Sequence, residues 1–169
     1  MKNIVYHSAL LASLLLSAGC QKEEAAVAPP EEVCSVDVPV QDKASAKDAL
    51  LGDWRWQHTR YPGRGRLTGV IPTETPRSTG HERLFRFTTD RYIILEDGQV
   101  AQDLPYDVKY WGEGTNAVDP VLLVRTYRPA TGFSAGSILR IDQGKSCLQL
   151  INSYGDAGGD ISLQKTEGK

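Results

Sequence analysis

The alternation of apolar and polar residues is strongest at Gly52 to Thr59. Trp54, Trp56 and His58 fall on one side of a two-residue period, and Arg55, Gln57 and Thr59 on the other, which predicts a half-buried strand. A short helix is expected just before it, over Asp42 to Leu51. Asp42 can cap its start, Ser45 and Asp48 echo a capping box, and Ala46, Ala49 and Leu50 share one side. Gly52 ends that helix. Further upstream Val36, Val38 and Val40 alternate and could pair with a sheet edge.

Downstream, Tyr61 to Gly80 is a long connection rich in Gly and Pro without periodicity. Such connections are usually functional or mobile. Strand patterns then recur at short spacing. Phe85 and Phe87 alternate with Leu84 and Arg86, Tyr92 to Glu96 is β-rich, and Asp97-Gly98 is a strong two-residue hairpin turn. Tyr106, Val108 and Tyr110 form another alternating face. Val121 to Tyr127, Ile138 to Ile141, Cys147 to Ile151 and Ile161 to Lys165 complete eight or nine strands, with no helix interleaved. The pattern predicts an all-β fold: an up-and-down antiparallel β-barrel of about eight strands with a short N-terminal helix.

The first residues follow a different logic. Lys2 supplies positive charge, Ala9 to Leu16 is an apolar run, and Ser17-Ala18-Gly19 provides small residues before Cys20. This is a secretory signal. Leu16-Ser17-Ala18-Gly19-Cys20 resembles the lipobox of bacterial lipoproteins, with Ser17 where the strongest lipoboxes carry Leu. The resemblance implies cleavage before Cys20 and acylation of that cysteine. Several acyl chains on one cysteine anchor stably, whereas one chain binds only marginally. The organisation expected is a signal peptide over residues 1–19, a lipidated flexible tether over 20–33 and a barrel domain over 34–169. The tether is polar and acidic. Its start, Gln21-Lys22-Glu23-Glu24, resembles the short acidic signal of lipoproteins displayed on the outer face of the outer membrane. The location implied is the outer membrane, on its periplasmic face or at the cell surface.

The domain itself resembles the lipocalin-like, calycin-type domains of bacterial lipoproteins. The resemblance is carried by Gly52-Asp53-Trp54 after a short helix, Thr75-Pro76-Arg77-Ser78-Thr79-Gly80, Leu84-Phe85-Arg86-Phe87 and Asp97-Gly98. It implies the barrel and a habit of binding apolar or amphipathic molecules. It names no ligand, because one fold hosts many functions.

Charge and cysteines add three points. From Arg55 to Arg91 the chain has eight Arg, no Lys and three acids, within an overall formal charge of −2. The negative total and the envelope location argue against nucleic acid as a partner. With Cys20 acylated, Cys34 and Cys147 form an even pair. In an oxidising compartment they are read as a disulfide, the alternative being two separate buried thiols.

The candidate chemistry is sparse. Gly132-Phe133-Ser134-Ala135-Gly136 matches a nucleophile elbow in letters, but that motif works at a strand-to-helix turn and here it lies between strands. Only His58 and His81 follow the signal segment, and they do not have the spacing of a zinc site. Asp156 to Asp160 does not have the spacing of an EF-hand loop. No metal and no cofactor are expected, and no acid–base or nucleophile set supports an enzyme.

Two binding features remain. Arg60, Arg64 and Arg66 in a glycine-rich loop could hold an anion bidentately at a barrel mouth, or be solvated and paired elsewhere. Trp56, His58, Phe85, Phe87, Tyr106 and Tyr110 could line a cavity, with the connection over 61–80 as its lid. Alternatively, the aromatic side chains fill the barrel, since eight strands leave an interior that side chains can just occupy. The expected function is a lipid-anchored envelope protein whose barrel binds an apolar or anionic small molecule. The alternative is a filled barrel serving protein–protein interaction, as an envelope assembly factor or protease inhibitor.

Overall fold

The structure is a computed structural model, and it describes residues 34–166 apart from 38, 66–68, 115–118 and 156–157. The signal segment, Cys20, the tether and Arg66 therefore lie outside the described residues.

The helix α1 spans Lys43–Leu50, one short step from its sequence expectation. The Asp42 side chain accepts from the Ser45 N–H at 2.7 Å, satisfying a first-turn donor. Ala46, Ala49 and Leu50 are buried on one side. The helix stops because Leu51 is extended and Gly52 has φ +111°, a conformation that glycine adopts without strain.

Strand β1 (Gly52–Arg60) follows at once. It is joined by β2 (Thr73–Glu74), β3 (Arg83–Phe87), β4 (Arg91–Glu96) and β5 (Gln99–Trp111). Then come β6 (Asp119–Arg128), β7 (Phe133–Ile141), β8 (Cys147–Ile151) and β9 (Asp160–Lys165). All pairings are antiparallel between neighbours in the order β2-β1-β3-β4-β5-β6-β7-β8-β9, and β1 also pairs with β9. That last ladder closes an eight-stranded barrel, with β2 as the extra strand at the far end of β1. The all-β, up-and-down barrel expected from the sequence is what forms. Asp97 and Gly98 both have positive φ, as the two-residue hairpin turn requires.

Two departures from the sequence pattern matter. In the β1–β9 ladder Trp56 sits opposite Leu163 and His58 opposite Ser162, so Gln57 is an extra, bulged residue. The bulge shifts the alternation by one. Thr59 is buried and His58 is only half-buried, whereas the regular period put His58 with Trp54 and Trp56. The second departure is in the connection over 61–80. It is not structureless: it contains a 3-10 turn (Pro62–Gly65), β2, and the four-residue helix α2 (Pro76–Thr79). Thr75 and Ser78 cap α2 reciprocally, and Gly80 closes it in the left-handed region.

The N-terminal segment runs along the barrel wall. Pro39 bridges Asp142, and the Val40 N–H donates to the Ile141 carbonyl at 2.8 Å. Cys34 is bonded to Cys147, with their Cα atoms 5.5 Å apart, as the even cysteine pair implied.

Candidate functional site

The barrel interior is built from the inward positions of every strand. Trp54 and Trp56 from β1 are 0% and 1% exposed, and Phe85 and Phe87 from β3 are 3% and 2% exposed. Tyr92, Tyr106, Val108, Leu148, Leu150 and Leu163 are buried with them. The rings pack in tilted and edge-to-face arrangements. The centroid of Phe87 lies 5.1 Å from that of Tyr92 and 5.4 Å from that of Tyr106. The polar atoms carried inward are satisfied. The Trp54 indole N–H donates to the Leu50 carbonyl at 2.7 Å, and that of Trp56 to the Thr59 hydroxyl at 2.9 Å. The Tyr106 hydroxyl donates to the Thr88 carbonyl at 2.8 Å.

This places each aromatic candidate. Trp56, Phe85, Phe87 and Tyr106 are brought together, but as packed core with almost no surface open to a ligand. Tyr110 is half-buried at the helix end, where its hydroxyl meets the Lys43 N–H and the Gln41 carbonyl. Arg60, the last residue of β1, and Arg64, in the turn after it, are exposed. Arg64 stacks on Tyr61, with its guanidinium 4.4 Å from the ring centroid, and the Tyr61 hydroxyl donates to Glu74 at 2.8 Å. Two described pockets lie elsewhere. A groove of about 460 Å3 runs between Pro39, Gln41, Asp42, Gln143 and Lys145, and an apolar slot of about 190 Å3 lies beside Pro39, Val40, Val121 and Ile138. Neither is lined by the interior aromatic residues.

Three of the eight arginines in the middle stretch are structural. Arg86 reaches Asp53 through two nitrogens at 2.6 and 2.8 Å, which holds the Asp53 carboxyl below its usual range. Arg83 bonds Glu96 at 2.6 Å while lying 4.8 Å above the Trp56 ring, and Arg91 pairs with Asp103. Arg60, Arg64 and Arg77 are exposed and have no ion-pair partner among the described residues. His81 meets Asp97 at 2.7 Å at the tip of the β4–β5 hairpin, and the Asp97 hydrogen bond raises its pKa. Among the described residues no three His, Cys, Asp or Glu side chains converge on a metal position. The nucleophile-elbow lookalike falls at a turn glycine, Gly132, and the first residues of β7.

One surface feature was not singled out by the sequence. Trp111, 40% exposed at the end of β5, meets Tyr154, 45% exposed in the 3-10 turn after β8, with ring centroids 5.0 Å apart. The available signal was its parity: inward positions on β5 are even-numbered through Tyr106 and Val108, which turns Trp111 outward.

The buried phenols predict an alkaline limit. Burial, followed by the charges of Asp107 and Asp90, pushes Tyr106 up to about 12. Burial alone raises Tyr92 further. A phenol raised in the folded state contributes stability below its unfolded pKa, near 10, and loses it as pH rises through the folded value. Stability in urea should therefore begin to fall above about pH 10 and keep falling to about pH 12. Ultraviolet titration should show Tyr92 and Tyr106 ionising last among the tyrosines, and coincident ionisation of all of them in the folded protein would contradict this.

Compared with known proteins, the chain matches no family model, no curated protein and no solved structure.

Proposed function

We propose that the protein is a lipid-anchored envelope protein whose lipocalin-like barrel is a filled interaction module, working through its loops rather than carrying a ligand inside. The observation that supports this is the packed interior. A barrel that carries an apolar molecule needs a cavity of several hundred Å3 among its inward side chains. Here Trp56, Phe85, Phe87 and Tyr106 are covered on all sides.

The loop end beyond β1 offers a surface of another kind. Val70 is 70% and Ile71 38% exposed, Arg64 and Arg77 are exposed on the same connection, and Arg60 is exposed at the end of β1 that leads into it. Exposed aliphatic residues among cations suit a protein partner with an apolar feature rimmed by acids. An envelope assembly factor or a protease inhibitor would use a barrel in this way. The anchor is Cys20, at the end of the tether over 20–33, and the location is the outer membrane.

The reading is tested on protein purified from its own membrane. Native mass spectrometry should find no stoichiometric small molecule, and a photocrosslinker at Val70 should trap one discrete protein in intact cells. A co-purifying apolar or anionic molecule, with no crosslinked partner, would return the protein to the carrier reading. The anchor has its own test: palmitate labelling should vanish in Cys20→Ser, and persistent label would sink it.

A further inference from the structure

The outer wall of β5 to β8 is more apolar than a water-facing barrel wall requires. On β6, Leu122 and Val124 are buried, so Leu123 faces outward. Ile138 lies opposite Leu123, and Ile151 lies opposite Ile138. The three form a half-buried aliphatic row across three strands. Trp111 and Tyr154 add an exposed aromatic pair on the same wall. The Tyr154 hydroxyl donates to the Gly136 carbonyl at 2.8 Å, which lays its ring along β7.

The row is edged by cations. Lys109 is the register neighbour of Leu123, and Arg125 and Arg140 occupy the next outward positions on β6 and β7. Two nearby acids are already engaged: Asp107 pairs with Lys47 at 3.0 Å and Glu113 with Lys43 at 2.9 Å.

The chain also enters the barrel on this wall. Arg140 donates to the Val36 carbonyl at 3.0 Å, Gln149 to the Cys34 carbonyl at 3.4 Å, and Cys34 is bonded to Cys147. Residue 34 is thus fixed on the outside of β7 and β8. Fourteen peptide steps separate it from Cys20, a reach of at most roughly 50 Å. A membrane held within that reach is present at a high effective concentration.

We propose that this wall is the face the anchored protein lays on the bilayer. Trp111 and Tyr154 seat in the headgroup region, where amphipathic rings are favoured, and Lys109, Arg125 and Arg140 face anionic lipid. The proposal rests on the lipid-anchor reading of Cys20. It leaves the loop end over 61–80 free for a partner.

Tryptophan fluorescence tests it directly. Trp54 and Trp56 are buried in the core, so Trp111 is the tryptophan that lipid can reach. The acylated full chain is reconstituted in phosphatidylethanolamine–phosphatidylglycerol vesicles with brominated acyl chains. Trp111 emission should be quenched and blue-shifted, and Trp111→Phe should abolish both effects while leaving the fold intact by circular dichroism. Ile138→Glu should release the quenching without releasing the anchored protein. Unquenched Trp111 in the anchored wild type overturns the proposal, as does a stable dimer in which Trp111 is shielded with or without lipid.

If Cys20 proves to carry no acyl group, the anchor reading fails, and co-sedimentation of the Cys20→Ser chain with the same vesicles decides the wall alone. Binding to anionic vesicles that falls with salt and is lost in Trp111→Ala then supports it. No binding overturns it.

Discussion

Trp54→Ala should cost roughly 3–5 kcal/mol of folding stability, the usual range for deleting a large buried aromatic side chain, whereas Arg55→Ala should stay within about ±0.5 kcal/mol. The two neighbours differ in which side of β1 they occupy. Trp54 is fully buried, opposite Phe85 on β3 and Lys165 on β9. Its indole N–H donates to the Leu50 carbonyl, one of the terminal helix groups that α1 cannot satisfy by itself. Lys165 completes the arrangement. Its Nζ donates to the Ala49 carbonyl at 2.9 Å and lies 5.1 Å from the centre of the Trp54 ring. Truncation therefore opens a cavity and strips a buried carbonyl of its partner. Arg55 is exposed and loses neither. A loss of several kcal/mol would leave a domain of this size marginal or unfolded. Chemical denaturation of both variants checks the comparison, and equal destabilisation would mean that β1 is not seated with Trp54 inside.

That burial was legible because strand alternation is local: each residue's side is set by its neighbours. So were the Asp42 cap, the Asp97-Gly98 turn and the number of strands. The bulge at Gln57 was not legible, and the reason is physical. Once Trp56 is inside, its indole N–H needs an acceptor. The Thr59 hydroxyl supplies one at 2.9 Å, but only if Thr59 also turns inward, which a regular period forbids. The bulge resolves the conflict and moves His58 out of the interior row. The Thr75-to-Gly80 segment carried readable capping signals, yet a four-residue helix is too short to show an apolar period.

The candidate site was legible in identity and not in use. The sequence named Trp56, Phe85, Phe87 and Tyr106, which meet inside the barrel, and missed Tyr92, which packs against both phenylalanines; whether such residues line a space or fill it depends on side-chain volume summed over eight strands. Likewise Arg83, Arg86 and Arg91 read as part of a basic stretch. Their carboxylate partners, Glu96, Asp53 and Asp103, come from strand registers that the charge pattern does not reveal. The Trp111–Tyr154 pair joins residues 43 apart in the chain, brought together only when β5 to β8 are assembled.

Removing the bridge with Cys34→Ala/Cys147→Ala should lower stability by roughly 4–5 kcal/mol, the chain-entropy value for a loop of this length. The two cysteines are 113 residues apart, so the bridge constrains nearly the whole domain when it is unfolded. Its native-state role is narrower. It pins the entering segment, which is otherwise held by the burial of Val36, the packing of Val40 on the core and a few hydrogen bonds: Val40 to Ile141, Arg140 to Val36 and Gln149 to Cys34. Each is worth roughly 0.5–1.5 kcal/mol net, enough to keep the segment mostly in place within an intact barrel. The double variant should therefore unfold at lower denaturant with a steeper dependence on its concentration, because the unfolded chain is less compact. Its Val40 amide should still be protected from exchange under native conditions. A small stability loss with an unprotected Val40 amide would show the opposite division of labour. The bridge would then hold the segment to the wall and do little to the unfolded chain.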